Sequence, residues 1–167
     1  SFAAEVARCM PTNVTVAASH SDVAKCVQAA FATRFFRVYT TDDMIGVELG
    51  GALKNVIAIA AGGSDGLELG NNSRAGLITR GLAEITRLAT SLGARPETML
   101  GLAGVGDLLL TCTGELSRNR MVGKRLAQGE RWAEIQADMK MVAEGVPTSA
   151  SAYHLALRQQ VELPITE

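Results

Sequence analysis

The chain has 167 residues and a formal charge of −1, from 16 Lys and Arg against 17 Asp and Glu; 47% of its residues are hydrophobic and 20% are charged. This composition is typical of a globular protein and excludes a disordered one, and the charge balance argues against a nucleic-acid-binding module, which carries a clustered basic excess. Aromatic residues make up only 4%, so we expect an aliphatic core. At roughly 150 residues per domain, the length accommodates one domain, or one and part of a second.

The cysteines and the apolar segments bear on the cellular compartment. Cys9, Cys26 and Cys112 are odd in number and far apart in the sequence, which predicts reduced thiols in a cytoplasmic protein and gives no support for a metal site. No signal-peptide pattern opens the chain. The most apolar segment, Met44 to Ala61, contains a glutamate, a lysine and an asparagine, so a buried helix is predicted there rather than a membrane span.

The first 40 residues carry the strand signals of the chain. The predicted order is a short helix or turn over 1–10, a strand over 12–18, a helix over 21–33 and a strand over 35–40. We expect Ser21 and Asp22 to cap this helix. The chain begins with Ser1 rather than Met, so a fragment or a processed product is expected. This order predicts the end of an α/β sheet.

From residue 41 onward the pattern is helical, so the predicted fold class is mainly α. Thr41-Asp42-Asp43 is expected to cap a helix that reaches about Ala61, and Asn71 or Asn72 is expected to cap the next one. GGSDGLELG, at 62–70, is predicted to be a loop. The later helices are predicted over 71–92, 95–102, 118–128, 131–137 and 147–160.

Lys54 is the most informative single residue because it lies near the middle of an otherwise apolar helix. Lysine is rarely buried unless it is paired or functional, and a buried lysine is suited to proton transfer. Gly50 and Gly51, one turn earlier, would leave room for a ligand or a neighbouring backbone. In the alternative interpretation, Lys54 reaches solvent or neutralises a structural carboxylate. The pattern leaves both interpretations open.

A second candidate, Asp107, follows the glycine-rich segment GLAGVG at a predicted helix start. On pattern alone an N-cap is the favoured interpretation, and a carboxylate that orients Lys54 is the alternative. Thr111 lies four residues later and shares the helix face of Asp107. The glycine spacing is G-x-x-G-x-G without a preceding strand, so we interpret GLAGVG as a turn rather than a dinucleotide fingerprint.

The cluster Ser117-Arg118-Asn119-Arg120 lies at another predicted helix N-terminus. Unpaired backbone N–H groups at such a position favour anions, and an added guanidinium makes a phosphate clamp. A capped, solvated helix end explains the same residues, and both interpretations stay open. Glu144, in VAEGVP, is interpreted as a carboxylate at the positive end of the last helix.

Several of these segments resemble bacterial-type NAD(P)-dependent glycerol-3-phosphate dehydrogenases. They are FFRVYTTDDMIGVELGGALKNVIAIAAGGSDGL, NNSRAGLITRGLAEITRL, GLAGVGDLLLTCTGELSRNRMVGKRLAQG and VAEGVPT. The resemblance extends along essentially all of the chain but omits the family's N-terminal G-x-G-x-x-G half. It implies that residues 1–40 are the end of an NAD(P)-binding Rossmann domain. Residues 41–167 would form a helical substrate-binding and catalytic domain, similar to the C-terminal domain of 6-phosphogluconate dehydrogenase.

The resemblance also implies a role for each motif residue. Lys54 matches the family's catalytic lysine, which acts as general acid and base, and Asp107 matches the aspartate that orients it. The implied substrate contacts are Ser1, Lys54, Asp107, Thr111, Ser117, Arg118 and Asn119. The implied cofactor contacts are Ala3, Arg118, Val142 and Glu144.

The implied reaction is the reversible reduction of dihydroxyacetone phosphate to sn-glycerol 3-phosphate, which supplies glycerophospholipid precursors. The cofactor would be NAD or NADP, with NADPH favoured. The expected partner is this small-molecule substrate, without nucleic acid, and a homodimer is compatible with the Ala- and Gly-rich helices. Two alternatives stay open: a related dehydrogenase of another phosphorylated substrate, and a non-catalytic helical dimerisation module.

Overall fold

A computed structural model of the protein describes residues 2–139 and 141–167. These residues are mostly helical, with two short strands near the N-terminus, as predicted. The elements in chain order are α1 (Phe2–Ala7), β1 (Thr12–Ala17), α2 (Ser21–Phe31), β2 (Phe36–Thr41), α3 (Met44–Gly66), α4 (Gly70–Ser91), α5 (Pro96–Met99), a π-helical turn (Leu102–Gly106), α6 (Asp107–Thr113), α7 (Arg118–Ala127), α8 (Trp132–Asp138) and α9 (Gly145–Gln159).

The predicted strand–helix–strand unit is present as a parallel pair. Strands β1 and β2 align with Thr12 opposite Phe36 and Ala17 opposite Thr41, and α2 makes the crossover that a parallel pair requires. The predicted cap of α2 was wrong in detail. The N-cap is His20, and Ser21 is already the first helical residue.

Helix α3 is capped by Asp43, within the predicted cap segment, and this carboxylate is buried. The Asp43 side chain accepts hydrogen bonds from the Gly46 N–H (2.9 Å), the Arg95 N–H (2.9 Å) and the Thr98 hydroxyl (2.6 Å). Burial by itself would raise the pKa of Asp43. The bonds from Thr98, Arg95 and Gly46, together with the Arg95 charge, outweigh burial and lower this pKa. Asp43 therefore links the end of the strand unit to α3 and α5.

The helical domain is built around α3. Helices α4, α6, α7 and α9 pack against it, and an aliphatic core forms along its length, as the low aromatic content predicts. By length and composition alone α3 is apolar enough to cross a membrane. A helix that is apolar on most sides is also what the centre of a globular domain requires. The buried side chains of α3 in this core include Leu53, Ile57, Ala58 and Ala61.

Helices α3 and α7 approach each other closely enough for their backbones to touch. A Cβ atom at Gly62 would collide with the backbone carbonyl of Arg120, and one at Gly123 would collide with the carbonyl of Ile59. Only glycine fits at such contacts. The first turn of α7 is therefore seated directly on the C-terminal half of α3.

Two local predictions were wrong because tertiary packing overrides local propensity. Helix α3 continues through Gly66, so the first half of the predicted loop at 62–70 is helical, and α7 packs against it. Helix α4 begins at Gly70, which leaves Asn71 and Asn72 inside the helix rather than at its cap.

The glycine-rich segment at 101–106, which is predicted to be a turn, has a regular helical form. It is a π-helical turn in which the Gly106 N–H donates to the Gly101 carbonyl at 3.2 Å, and it runs directly into α6. A Cβ atom at Gly104 would collide with the backbone of Met99. The π-helical turn sets Asp107 at the first residue of α6, facing α3.

Candidate active site

Lys54 and Asp107 meet at the contact between α3 and α6. Lys54 Nζ donates a hydrogen bond to Asp107 Oδ2, although the two residues are 53 positions apart in the sequence. Their side chains are 21% and 33% exposed. Lys54 is thus paired with a carboxylate without being sealed into the apolar core. An ammonium has three donors, so the pair leaves Lys54 able to bind a further acceptor.

Two cavities share this ion pair in their walls. One, of about 300 Å³, lies among α3, α6 and the start of α7, and we call it the helical cavity. The other, of about 440 Å³, is also lined by residues 11–15 of β1 and its entry, and we call it the strand cavity. The helical cavity is lined by every predicted substrate-contacting residue within the described ranges, and also by Glu144. Ser1 lies outside the described residues.

The start of α7 brings the polar cluster to the helical cavity. Ser117 is the N-cap, and its Oγ accepts from the Arg120 N–H at 3.4 Å. Arg118 is partly exposed, and its Nη1 donates to the Val142 carbonyl at 2.8 Å. This bond uses one of the five N–H donors of the guanidinium. The arginine and the N-terminal N–H groups of α7 make this end of the helical cavity suitable for an anion.

Asn119 makes a buried junction behind this cluster. Its amide nitrogen donates to Asn55 Oδ1 at 2.9 Å, and its Oδ1 accepts from the Gly145 N–H, also at 2.9 Å. The junction joins α7, α3 and the first residue of α9. Sequence reasoning did not single out Asn55 as a site residue. The sequence does contain one indication of Asn55: it follows Lys54 in an apolar helix, and a buried amide there needs hydrogen-bond partners.

The remaining predicted residues occupy less direct positions. The Thr111 hydroxyl lines the helical cavity and donates to the Asp107 backbone carbonyl at 2.7 Å. Val142 is tied to Arg118 through its backbone, while its side chain borders a separate cavity beside Trp132. Ala3 lines neither the helical nor the strand cavity, but Glu5 of the same helix lines both. The sequence analysis did not identify Glu5 because nothing in its local pattern distinguishes it from a solvated carboxylate.

Cys112 lies one residue beyond Thr111 and is fully buried. Burial raises the pKa of its thiol to about 12, more than the nearby Arg120 charge lowers it. A thiol with such a pKa stays protonated at neutral pH and is no nucleophile. Cys112 is therefore not a candidate for the chemistry of this region.

Comparisons with known proteins identify the family of the chain. The family model described as "NAD-dependent glycerol-3-phosphate dehydrogenase C-terminus" matches residues 43–167. A glycerol-3-phosphate dehydrogenase [NAD(P)+] of Geobacter sulfurreducens is 64% identical over 167 residues, 100% of this chain and 50% of the relative. One from Myxococcus xanthus is 61% identical over 165 residues, 99% of this chain and 49% of the relative.

Solved structures give the same result. The crystal structure of glycerol-3-phosphate dehydrogenase from Coxiella burnetii superposes with a TM-score of 0.95 at 47% identity, covering 98% of this chain and 50% of that one. The enzyme from Saccharomyces cerevisiae gives a TM-score of 0.88 at 30% identity, covering 100% of this chain and 52% of that one. The chain spans about half the length of the curated relatives it matches. It belongs to the NAD-dependent glycerol-3-phosphate dehydrogenase family and corresponds to the C-terminal part of such enzymes.

Proposed function

We propose that this chain is the substrate-binding and catalytic part of an NAD(P)-dependent enzyme that interconverts dihydroxyacetone phosphate and sn-glycerol 3-phosphate. The observation that carries the proposal is the Lys54–Asp107 ion pair in a wall shared by two cavities, one of which ends at the N-terminus of α7. The pair offers a proton donor, and the N-terminus of α7 offers an anion site within the same cavity. A small phosphorylated ketone needs both.

Lys54 moves the proton in the proposed reaction. The nicotinamide, when bound, supplies the hydride for the central carbon of the ketone. Lys54 Nζ donates its proton to the carbonyl oxygen, so that the product is a secondary alcohol. In the reverse direction neutral Lys54 accepts that proton from the hydroxyl. Asp107 holds Nζ in position through their hydrogen bond.

The phosphate end of the substrate is proposed to lie at the start of α7. Arg118 supplies donors that its bond to Val142 leaves unused, and the backbone N–H groups after Ser117 add to them. Asn119 is already bound to Asn55 and to the Gly145 N–H. In our proposal it holds α9 and α3 at the substrate, and Thr111 completes the wall between the phosphate end and Asp107.

The cofactor is proposed to approach from the α/β part of the chain. Residues 1–40 would be the end of the nucleotide-binding domain, with Ala3 near the nucleotide, and residues 41–167 the substrate domain. Arg118 and Glu144 line the helical cavity and would meet the nucleotide there. Val142 would act through its backbone carbonyl, which accepts from Arg118. A guanidinium fits a pyrophosphate or a nucleotide phosphate as well as it fits a substrate phosphate. NADPH is the favoured form.

The cellular setting follows from the proposed reaction. The product would supply glycerophospholipid synthesis in the cytoplasm, where exposed thiols such as Cys9 and Cys26 stay reduced. A homodimer stays a prediction, which the mass of the whole enzyme in solution would test.

The proposal is tested in a whole enzyme in which this chain replaces the matching half of the Geobacter sulfurreducens relative. NADPH oxidation is measured with dihydroxyacetone phosphate and with unphosphorylated dihydroxyacetone. NADPH is kept saturating for every variant, because Arg118 is also proposed to contact the nucleotide. We expect activity with the phosphorylated ketone. Arg118→Ala should raise its KM while leaving kcat/KM for dihydroxyacetone nearly unchanged.

The control for this variant is Arg158→Ala, which removes an exposed arginine near the end of α9, outside the helical and strand cavities. It should leave both substrates unaffected. Absence of activity with dihydroxyacetone phosphate in the unsubstituted enzyme would refute the proposed function. An equal loss for both ketones in Arg118→Ala would refute the placement of the phosphate.

A further inference from the structure

A second charged cluster joins three helices at the C-terminal end of α3. Asp65 Oδ2 accepts from Arg120 Nε of α7 at 2.6 Å, and Asp65 Oδ1 accepts from Arg74 Nη1 of α4 at 2.8 Å. Arg74 also donates to Asn71 at 2.7 Å. The side chains of Asp65, Arg120 and Arg74 are 13%, 22% and 26% exposed. We call these three residues the Asp65 cluster.

Within the described part of the chain, the Asp65 cluster lies outside the helical and strand cavities. Along α3, Asp65 is 11 residues beyond Lys54, about 16 Å at 1.5 Å per residue. The carboxylate therefore does not contact a substrate placed beside Lys54. Any effect that it has on the reaction must pass through the helices that it joins.

One of those helices carries the proposed phosphate site. Arg120 lies in the first turn of α7, directly after Ser117, Arg118 and Asn119. Its backbone N–H donates to the Ser117 cap, and its backbone carbonyl touches Gly62 of α3. The side chain of Arg120 adds a third attachment, to Asp65. The Ser117 cap, the backbone contact with Gly62 and the ion pair with Asp65 therefore all hold the first turn of α7.

We propose that Asp65, through Arg120, is a positioning residue that fixes the first turn of α7 relative to Lys54 and so sets the distance between proton donor and phosphate clamp. The carboxylate prevents α7 from sliding or rotating on α3, a motion that the glycine contacts alone would allow. Arg74 uses the other oxygen of the same carboxylate to attach α4, which carries none of the proposed site. The inference rests on the proposed function.

Substitutions of Arg120 and Arg74 form a matched pair, because each of them removes one hydrogen-bond donor from the Asp65 carboxylate. Arg120→Gln and Arg74→Gln should both lower thermal stability. Only Arg120→Gln should raise KM for dihydroxyacetone phosphate, by about tenfold, because misplacement of a clamp by about 1 Å is costly. Its kcat and its kcat/KM for unphosphorylated dihydroxyacetone should stay within about twofold of the unsubstituted enzyme. Arg120→Lys keeps the charge and should recover part of the lost affinity.

A second readout is independent of turnover. Hydrogen exchange of the Met121 N–H, which donates to the Ser117 carbonyl in the first turn of α7, should accelerate in Arg120→Gln and stay unchanged in Arg74→Gln. All measurements use the whole enzyme with the Geobacter sulfurreducens nucleotide-binding half. If Arg120→Gln does not fold, Arg120→Lys and Arg74→Lys are compared in the same way.

The outcomes separate this inference from the proposed function. If the unsubstituted enzyme does not reduce dihydroxyacetone phosphate, the proposed function fails, and the exchange comparison still decides whether Arg120 positions α7. Equal changes in KM or in exchange for the two arginine variants would make the Asp65 cluster a stability element only and overturn the inference. So would a fall in stability without any change in KM or exchange in Arg120→Gln.

Discussion

Helix α3 carries two ion-pair clusters that differ in how completely their charges are satisfied. At its middle, Lys54 has one carboxylate partner, Asp107, and both side chains border cavities. At its C-terminal end, each oxygen of Asp65 accepts from a different arginine, and the carboxylate is only 13% exposed. The first cluster keeps donors for a ligand, while the second uses both of its carboxylate oxygens to hold helices.

This difference shows how one helix serves two purposes. Burial by itself would raise the pKa of Asp65, but hydrogen bonds from Arg120 and Arg74 and their charges lower it. A carboxylate held so firmly in its ionised form is suited to structure rather than to proton transfer. An ion pair that leaves hydrogen-bond donors unused beside a cavity is therefore the better indication of a reactive group.

The largest expected effect follows removal of the incompletely paired cation. Lys54→Ala should lower kcat for dihydroxyacetone phosphate by about 10²- to 10⁴-fold, the usual contribution of a positioned general acid. The melting temperature should fall less than in Arg120→Gln, because Asp107, at 33% exposure against 13% for Asp65, keeps more contact with water when its partner is removed. The measurement is steady-state NADPH oxidation by the whole enzyme, with thermal unfolding recorded on the same samples.

Lys25→Ala, which removes an exposed lysine of α2, is the control and should retain full kcat. Turnover within tenfold of normal in Lys54→Ala would remove the lysine from the proposed proton transfer. A large loss of stability in Lys54→Ala would mean that Lys54, like Asp65, mainly holds helices together.

The next effect concerns the close-packed end of α3. Gly62→Ala places a methyl group against the Arg120 carbonyl and should cost about 1–3 kcal/mol of unfolding free energy. At Gly63 an added Cβ meets nothing within 4 Å. Gly63→Ala should therefore stabilise the protein by up to about 1 kcal/mol, because alanine is the better helix former. Urea unfolding of both variants measures this difference in sign.

If Gly62→Ala and Gly63→Ala changed the unfolding free energy equally, α7 would not rest on the backbone of α3. Destabilisation by Gly62→Ala alone would support the backbone contact to which the Asp65 cluster adds its ion pairs.

The sequence predicts the middle of α3 much better than its end. A lysine in an apolar helix can be recognised from local pattern, and the family resemblance supplied Asp107 as its partner. The Asp65 cluster has no such signal. Asp65 lies in a glycine-rich segment that propensity assigns to a loop, and its bond to Arg120 spans 55 residues. Only the packing of α7 against α3 keeps that segment helical and brings the charges together.

The same limit applies at the site itself. The helix start at Ser117 is readable from its cap, which the structure places as predicted. The junction of Asn119 with Asn55 and Gly145 connects three helices that are distant in sequence. Local patterns describe single helices, and they carry no information about which buried amides face each other.

The smallest expected effect is a pH dependence of the stability that the Asp65 cluster contributes. Because the folded pKa of Asp65 lies below its unfolded value near 3.8, its stabilising contribution is present above that pH and is lost as pH falls through the folded pKa. Asp65→Asn cannot titrate. At pH 7 it should be less stable than the unsubstituted enzyme by about 1 kcal/mol, because the amide keeps one oxygen acceptor and loses the second of the two hydrogen bonds.

This difference should shrink as the pH falls below about 3.8, because Asp65 then takes up a proton in the unfolded chain before it does so in the folded one. Urea unfolding at several pH values measures it, with Gly63→Ala as a variant whose effect involves no titrating group and should stay constant. A gap between Asp65→Asn and the unsubstituted enzyme that persists unchanged at pH 3 would mean that shape, rather than charge, holds the three helices. In that case the Asp65 cluster and the Lys54–Asp107 pair would differ in packing and not in the role of charge. Asp65 would then hold its helices equally well without ionisation.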